Sequence, residues 1–326
     1  MKESLLKVKD LKTHIFTHLG TVKAVDGVDF EINKGEAVGL VGESGCGKSC
    51  TALSIMRLLP PSARTVSGQV TYKGKEILAL EEKEMQRIRG KEIAMIFQDP
   101  FTFLNPLMKV GDQIAENIMV HRKFTGSDVQ GRVYEVLEKV RMPSPQKVAG
   151  FYPHELSGGM RQRAIIAMAI SSNPNLLIAD EPTTSLDVTV QRQILQLLDQ
   201  LKKELGISLL LITHDLGIVA ETCNRLFVMY AGKIVESGDI FAVFESPRHP
   251  YTVGLLKSAL SIEEYKKDLE GIGGTVPNLI NPPSGCRFHP RCHMAKPECK
   301  TNEPPLVDQD DGHIVSCRLY AEEAAI

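Results

Sequence analysis

Gly42-Glu43-Ser44-Gly45-Cys46-Gly47-Lys48-Ser49 is the stretch whose reading decides the fold. It fits G-x-x-x-x-G-K-[ST] and lies between the apolar run Glu36 to Val41 and the segment Cys50 to Met56, which reads as a helix. The context is therefore strand, loop, helix. Gly42, Gly45 and Gly47 let backbone N–H groups turn inward around an anion, and the start of the next helix adds the positive end of its dipole. Phosphate is the expected ligand. Lys48 should reach the β- and γ-phosphates of a nucleotide, and the Ser49 hydroxyl should coordinate the Mg²⁺ that bridges them. Ser44, Cys46 and Cys50 belong to the same candidate nucleotide site. A chance glycine-rich turn is the bland alternative, and the flanking strand and helix patterns argue against it.

Working outward, 326 residues suit one large domain plus an appendage. Hydrophobic residues at 43% and charged residues at 24% are ordinary for a globular chain able to bury a sizeable core. The 38 basic and 40 acidic residues leave a net charge of −2, so bulk electrostatics calls for neither nucleic acid nor an anionic membrane. No apolar run approaches the roughly 20 residues that cross a bilayer, and Met1 to Ser4 lacks a signal-like apolar region, which predicts a cytoplasmic chain. In that compartment the seven cysteines point to packing, metal binding or catalysis rather than to disulfides.

Upstream of the loop, Leu5 to Ile15, Ala24 to Ile32 and Glu36 to Val41 read as strands separated by turn-prone glycines. Phe16 lies between the first two, where an aromatic can stack on a purine base or simply pack against its neighbours. Downstream come a strand at Gly68 to Tyr72, a charged helix from Glu81 to Arg89, and an apolar strand, Glu92 to Phe97, that delivers Gln98. An amide there can reach a metal or water in the crevice where α/β sheets bind ligands. From Val110 to Met142 the apolar spacing turns helical, broken at Gly126-Ser127-Asp128, with Ser127 or Asp128 as N-cap.

Leu156-Ser157-Gly158-Gly159-Met160 then precedes a helix from Arg161 to Ile170, giving Ser157, Gly158 and Gly159 the makings of a second backbone anion site without a lysine. The strand Leu176 to Ala179 delivers Asp180 and Glu181, shortly before Ser185-Leu186-Asp187. Asp180 is expected to hold Mg²⁺ and Glu181 to polarise an attacking water. Leu209 to Thr213 is a further buried strand, ending in His214, which can donate to a γ-phosphate.

Together these stretches resemble the ATPase subunits of ABC transporters. GESGCGKS looks like Walker A, Gln98 the Q-loop, LSGGM the signature, LLIADE Walker B, Ser185-Leu186-Asp187 the D-loop and His214 the switch histidine. Met160 departs from the glutamine that commonly ends the signature. FQDPFTFLNP and the tail HPYTVGLL, His249 to Leu256, narrow the resemblance to the D-type ATPases of dipeptide and oligopeptide importers. The resemblance implies an α/β P-loop nucleotide-binding domain over residues 1–240. It should have a RecA-like core, an antiparallel β subdomain and a helical subdomain at about 105–170, with a small Cys-rich extension at 241–326. It further implies an ATP-hydrolysing subunit with ATP and Mg²⁺ as cofactors, Glu181, Gln98 and His214 as catalytic residues, and Ser49, Gln98 and Asp180 at the metal. Phe16, the Walker A residues, the signature residues and Asp187 would contact the nucleotide. The implied partners are a second homologous ATPase, in a heterodimer or homodimer, two membrane permeases and, indirectly, an extracytoplasmic solute-binding protein, with no nucleic acid. The implied place is the cytoplasmic face of the membrane. Nickel or another small solute is the alternative cargo, and a soluble ABC ATPase of DNA repair or translation, or a redox protein that binds ATP, the alternative class. Repair members carry a long coiled coil between Walker A and signature, which two short helices here do not match.

The last feature is Cys286-x5-Cys292-x6-Cys299-x17-Cys317, in a Pro-rich region with little periodicity. Four thiolates there can replace a core by binding a metal centre. Zinc sites usually show close C-x₂₋₄-C pairs, absent here, although His289, His293 and His313 lie nearby. Wide spacing suits an iron–sulfur cluster, and the importer resemblance implies a [4Fe–4S] cluster, with Zn²⁺ the alternative.

Overall fold

Strands whose residues are buried on both faces read as unbroken apolar runs, as parallel strands covered by helices must. The computed structural model describes residues 3–98, 103–121, 127–184, 186–263, 272–309 and 312–321. Asp99, Pro100 and Phe101, together with Gly126 and Ser185, lie outside the described residues.

The chain divides into two compact units. One holds Asn33–Glu36 and Ala79–Leu211. Its parallel strands Ile93–Ile96 and Leu176–Asp180 pair from Ile93 opposite Leu176 to Ile96 opposite Ala179, and Ser208–Thr213 flanks the latter. Helices fill the interval between the first two: Val110–His121, Ser127–Lys139, Pro145–Ala149 and Gly158–Ile170. Ile114, Ile118, Val133, Val136 and Leu137 are fully buried, as the helical spacing predicts. Val188–Leu205 buries a stripe of Ile194, Leu197, Leu198 and Leu201.

The other unit holds Ser4–Ile32, Ala37–Leu78 and the chain from Ile212 onward. Ser4–Thr17 lies between Gly20–Asn33 and Ala63–Tyr72, with Lys75–Glu76 at the edge. A second group of strands runs in the order Val307–Asp308, Ile314–Val315, Lys233–Asp239, Arg225–Tyr230, Ala37–Val41. Ala37–Val41 pairs in parallel with Arg225–Tyr230, while the tail strand Ile314–Val315 adds antiparallel to Lys233–Asp239. The rest of the tail is mostly loop, with single 3₁₀ turns at His289–Arg291 and Pro297–Lys300. Among the described residues no helix is long and apolar enough to cross a membrane.

Candidate functional site

The buried strand Ala37–Val41 ends in Gly42, and the helix Lys48–Met56 starts after Gly47. Only glycine serves at these two positions. A Cβ on Gly42 would stand 2.1 Å from the Met229 carbonyl oxygen, and one on Gly47 would stand 2.2 Å from that of Ala24, with φ at +153° and +110°. Among the described residues no side chain caps the helix start and no acid occupies its first turn, which favours an anion there. Lys48 is buried, and its ammonium donates to the carbonyl oxygens of Gly42 at 2.7 Å and Glu43 at 3.1 Å. A buried cation that donates to loop carbonyls and, at 3.8 Å, to Cys46 Sγ, with no carboxylate among these acceptors, is electrostatically suited to a polyanion. Gly45 and Ser44 are exposed, whereas Ser49 and Cys50 are half-buried. Burial pushes the Cys46 thiol up against the pull of Lys48, and pushes Cys50 up to about 11. Both are neutral packing groups rather than nucleophiles.

Phe16 is exposed at 39%, and one face of its ring is covered by the Arg64 guanidinium, 4.5 Å from the centroid. His214 is exposed at the end of its strand, and Asp215 beyond it caps Leu216–Thr222 by accepting from the Ile218 N–H at 3.2 Å.

In the other unit, Leu176–Asp180 delivers a buried Asp180 and then Glu181, whose backbone is left-handed at φ 45°. Among the described residues seven other non-glycine residues share positive φ, so the conformation defines the turn and the role rests on the contacts of the side chain. One oxygen of the Glu181 carboxylate, Oε2, accepts from Gln98 Nε2 and from Thr184 Oγ1, each at 3.0 Å. Gln98 and Glu181, 83 residues apart, are thus brought together. Sequence reading missed Thr184; its only signal is a hydroxyl three residues beyond the acid. Gln191 staples the same turn by donating to the Thr183 and Leu186 carbonyls at 3.2 and 3.1 Å.

Ser157 and Asp187 are helix caps. Ser157 Oγ accepts from the Met160 N–H at 3.3 Å, and Asp187 Oδ1 from the Val190 N–H at 3.0 Å. Cβ atoms on Gly158 and Gly159 would stand 3.2 Å from Leu186 and 2.8 Å from Val190, which brings the signature against the D-loop of its own chain.

Cys286, Cys292, Cys299 and Cys317 line one cavity, with His249, Phe288 and His289. The Cys286 N–H donates to the Cys299 carbonyl at 2.8 Å. Burial raises the thiols of Cys286 and Cys292 and pushes Cys317 up to about 11, and the neighbouring cysteines raise them further. Four thiols that repel one another as thiolates suit a cationic centre. No three His, Cys, Asp or Glu among the described residues converge on a single ion. The four cysteines line a shared cavity, and this arrangement by itself selects neither a cluster nor zinc. His313 is used elsewhere, with Nε2 2.7 Å from the buried carboxylate of Glu236.

Residues 25–184 match the ABC transporter family, and residues 235–299 match the oligopeptide/dipeptide transporter C-terminal region. The chain is 49% identical over 315 residues to a probable peptide ABC transporter ATP-binding protein, y4tR, of Sinorhizobium fredii, covering 96% of this chain and 94% of that one. It is 49% identical over 322 residues to the oligopeptide transport ATP-binding protein OppD of Bacillus subtilis, covering 98% and 90%. Among solved structures, the ATP-binding cassette MJ0796, a dimer bound to ADP and Pi in a post-hydrolysis state, superposes with a TM-score of 0.65 at 26% identity, over 72% of this chain and 98% of that one. With its phosphate loop, its acid pair and its importer-type C-terminal region, the chain belongs to the ATP-hydrolysing, ATP-binding subunits of ABC importers for peptides.

Proposed function

We propose that the chain couples ATP binding and hydrolysis to peptide uptake as one of two ATPases beneath two permeases, at the cytoplasmic face of a membrane. The observation that carries the catalytic assignment is the Glu181 carboxylate, aimed by Gln98 and Thr184 from a strained turn. Glu181 polarises the water that attacks the γ-phosphate, Asp180 holds Mg²⁺ with Ser49 and Gln98, and His214 donates to the γ-phosphate. Lys48 and the loop amides from Gly42 to Cys50 bind the phosphates. Phe16, backed by Arg64, stacks on the base.

Ser157, Gly158 and Gly159 act on the nucleotide of a mate, with Asp187 beside them, so hydrolysis needs a dimer. The cassette ends near residue 240, and its helical part spans about 105–170. A permease helix docks near Phe103, 43% exposed and stacked on Phe97 at 4.0 Å, and near Leu107, 85% exposed. The C-terminal cysteines hold a [4Fe–4S] cluster of structural role. The four-cysteine cavity supports it, and the cluster would supply cross-linking ligation to a segment with little core. The test is reconstitution with the co-purifying permeases and binding protein. Peptide-loaded binding protein should stimulate ATPase activity, and failure of any peptide to do so while nickel succeeds would move the cargo to the metal.

A further inference from the structure

Glu43, the second residue of the phosphate loop, is gripped by the C-terminal extension. The Arg291 guanidinium meets its carboxylate in a two-pronged pair, Nη1 to Oε2 at 2.6 Å and Nη2 to Oε1 at 3.0 Å. The Arg291 side chain is only 5% exposed, and it donates further from Nε to the Gly273 carbonyl at 2.8 Å, from Nη2 to the Ile272 carbonyl at 3.2 Å and from Nη1 to the Tyr230 hydroxyl at 3.4 Å. The guanidinium also lies 5.7 Å from the Tyr230 ring centroid and 5.9 Å from that of Phe288. From the same side, the hydroxyl of the buried Tyr251 accepts from the Glu43 N–H at 2.9 Å. The Glu43 carbonyl in turn accepts from Lys48 at 3.1 Å and from the Cys46 N–H at 3.3 Å. One residue therefore links the tail to the lysine expected to meet phosphate.

A carboxylate at the entrance of a loop that must bind a polyanion works against binding unless it is neutralised. A planar fork held by backbone carbonyls neutralises it and fixes it at once. We propose that Arg291 is a positioning residue for nucleotide binding: by pairing with Glu43 it sets the conformation of the phosphate loop and masks its one acid, so that the C-terminal extension governs affinity for ATP. The proposal rests on reading residues 42–49 as the nucleotide loop.

The test is equilibrium binding of Mg·ATP to full-length protein by calorimetry. Arg291→Ala should weaken binding about tenfold by leaving the carboxylate unpaired. Adding Glu43→Gln to Arg291→Ala should restore affinity to within about threefold of wild type, a rescue expected of coupled neighbours and not of general damage to the fold. In the reconstituted transporter the single variant should raise KM for ATP with kcat nearly unchanged. Wild-type affinity in Arg291→Ala, or a double variant no better than the single, overturns the proposal. If Arg291→Ala does not fold, Arg291→Lys, which keeps the charge and loses the fork, carries the same cycle: a smaller loss rescued by Glu43→Gln supports the clamp, and no loss or no rescue overturns it. Wild-type protein that binds no Mg·ATP would instead overturn the nucleotide-loop reading.

Discussion

Glu181 carries two features that a solvated turn acid does not need, a left-handed backbone at φ 45° and two donors converging on one carboxylate oxygen at 3.0 Å. Glu181→Gln keeps the shape and removes the negative charge, so ATP should still bind while turnover falls about 10²–10³-fold, as for loss of one positioned electrostatic group. Wild-type hydrolysis by that variant would remove Glu181 from the role of base. Lys48→Ala acts differently, because its ammonium is both the expected phosphate contact and the donor to the Gly42 and Glu43 carbonyls. Binding and hydrolysis should fall together, and a variant with normal ATP affinity would contradict the assignment. The two cysteines of this region give a third expectation. With Cys50 pushed up to about 11 and Cys46 raised by burial, almost no thiolate exists at neutral pH. Iodoacetamide at pH 7.5 should leave both unmodified in peptide mass spectra, and rapid alkylation of either would show that the loop opens. Most of these residues are legible in the sequence because each motif is contiguous and its chemistry local. Arg291 is not legible, since 248 positions separate it from Glu43 and neither belongs to a pattern that names the other.

At the scale of elements, the strands that read correctly are the ones whose burial is uniform, such as Ile93–Ile96, Leu176–Asp180 and Ser208–Thr213. The expected strand from Gly68 to Tyr72 begins earlier, at Ala63, because Gly68 lies inside the strand rather than at its edge. Its φ of +102° and the nearby Asp10 carbonyl, 2.5 Å from where a Cβ would sit, accompany the register shift of Lys9 to Thr13 against this strand. The glycine expected to open the strand instead sits within it, beside a bulge. Gly68→Ala should therefore cost about 1–3 kcal/mol in denaturant unfolding, as backbone strain of this kind does; an unchanged midpoint would show that the strand can shift. The hairpin Arg225–Tyr230 and Lys233–Asp239 went unread, although its turn is marked by Ala231-Gly232, both at positive φ. Its first strand is an apolar run without alternation, buried almost throughout, and nothing in such a run separates strand from buried helix, while the second, Lys233-Ile234-Val235-Glu236-Ser237-Gly238-Asp239, is too polar to signal a strand buried over Val235 to Gly238. The Asp187 cap on Val188–Leu205 shows how a motif residue can also serve its own helix, a double use that spacing alone does not reveal.

For the whole molecule, the tail poses the sharpest question of stability. Among the described residues from 272 to 321 it offers two 3₁₀ turns, two two-residue strands, a four-residue helix and few buried apolar side chains, such as Leu279, Phe288 and Val315. So small a core supplies little, and segments of this kind are held by cross-links or metals. Part of the holding is visible: Arg287 pairs with Asp26 and donates to the Ala231 carbonyl, and Arg291 pairs with Glu43. In the proposal above, the four cysteines supply the rest through a metal centre. Zinc would draw four sulfurs to about 2.3 Å from one point, whereas a cluster would space them around its own core. The proposed cluster would give each cysteine its own iron, and the four cysteines do line one cavity. Anaerobically purified protein should be brown with about four irons per chain, and Cys299→Ser should bleach it and lower the melting temperature. Ligation free energy of the proposed cluster would be folding free energy for this segment, so iron loss and destabilisation should appear together. A colourless anaerobic preparation with one zinc per chain would sink the cluster, and a brown preparation whose stability does not change on iron removal would sink its structural role.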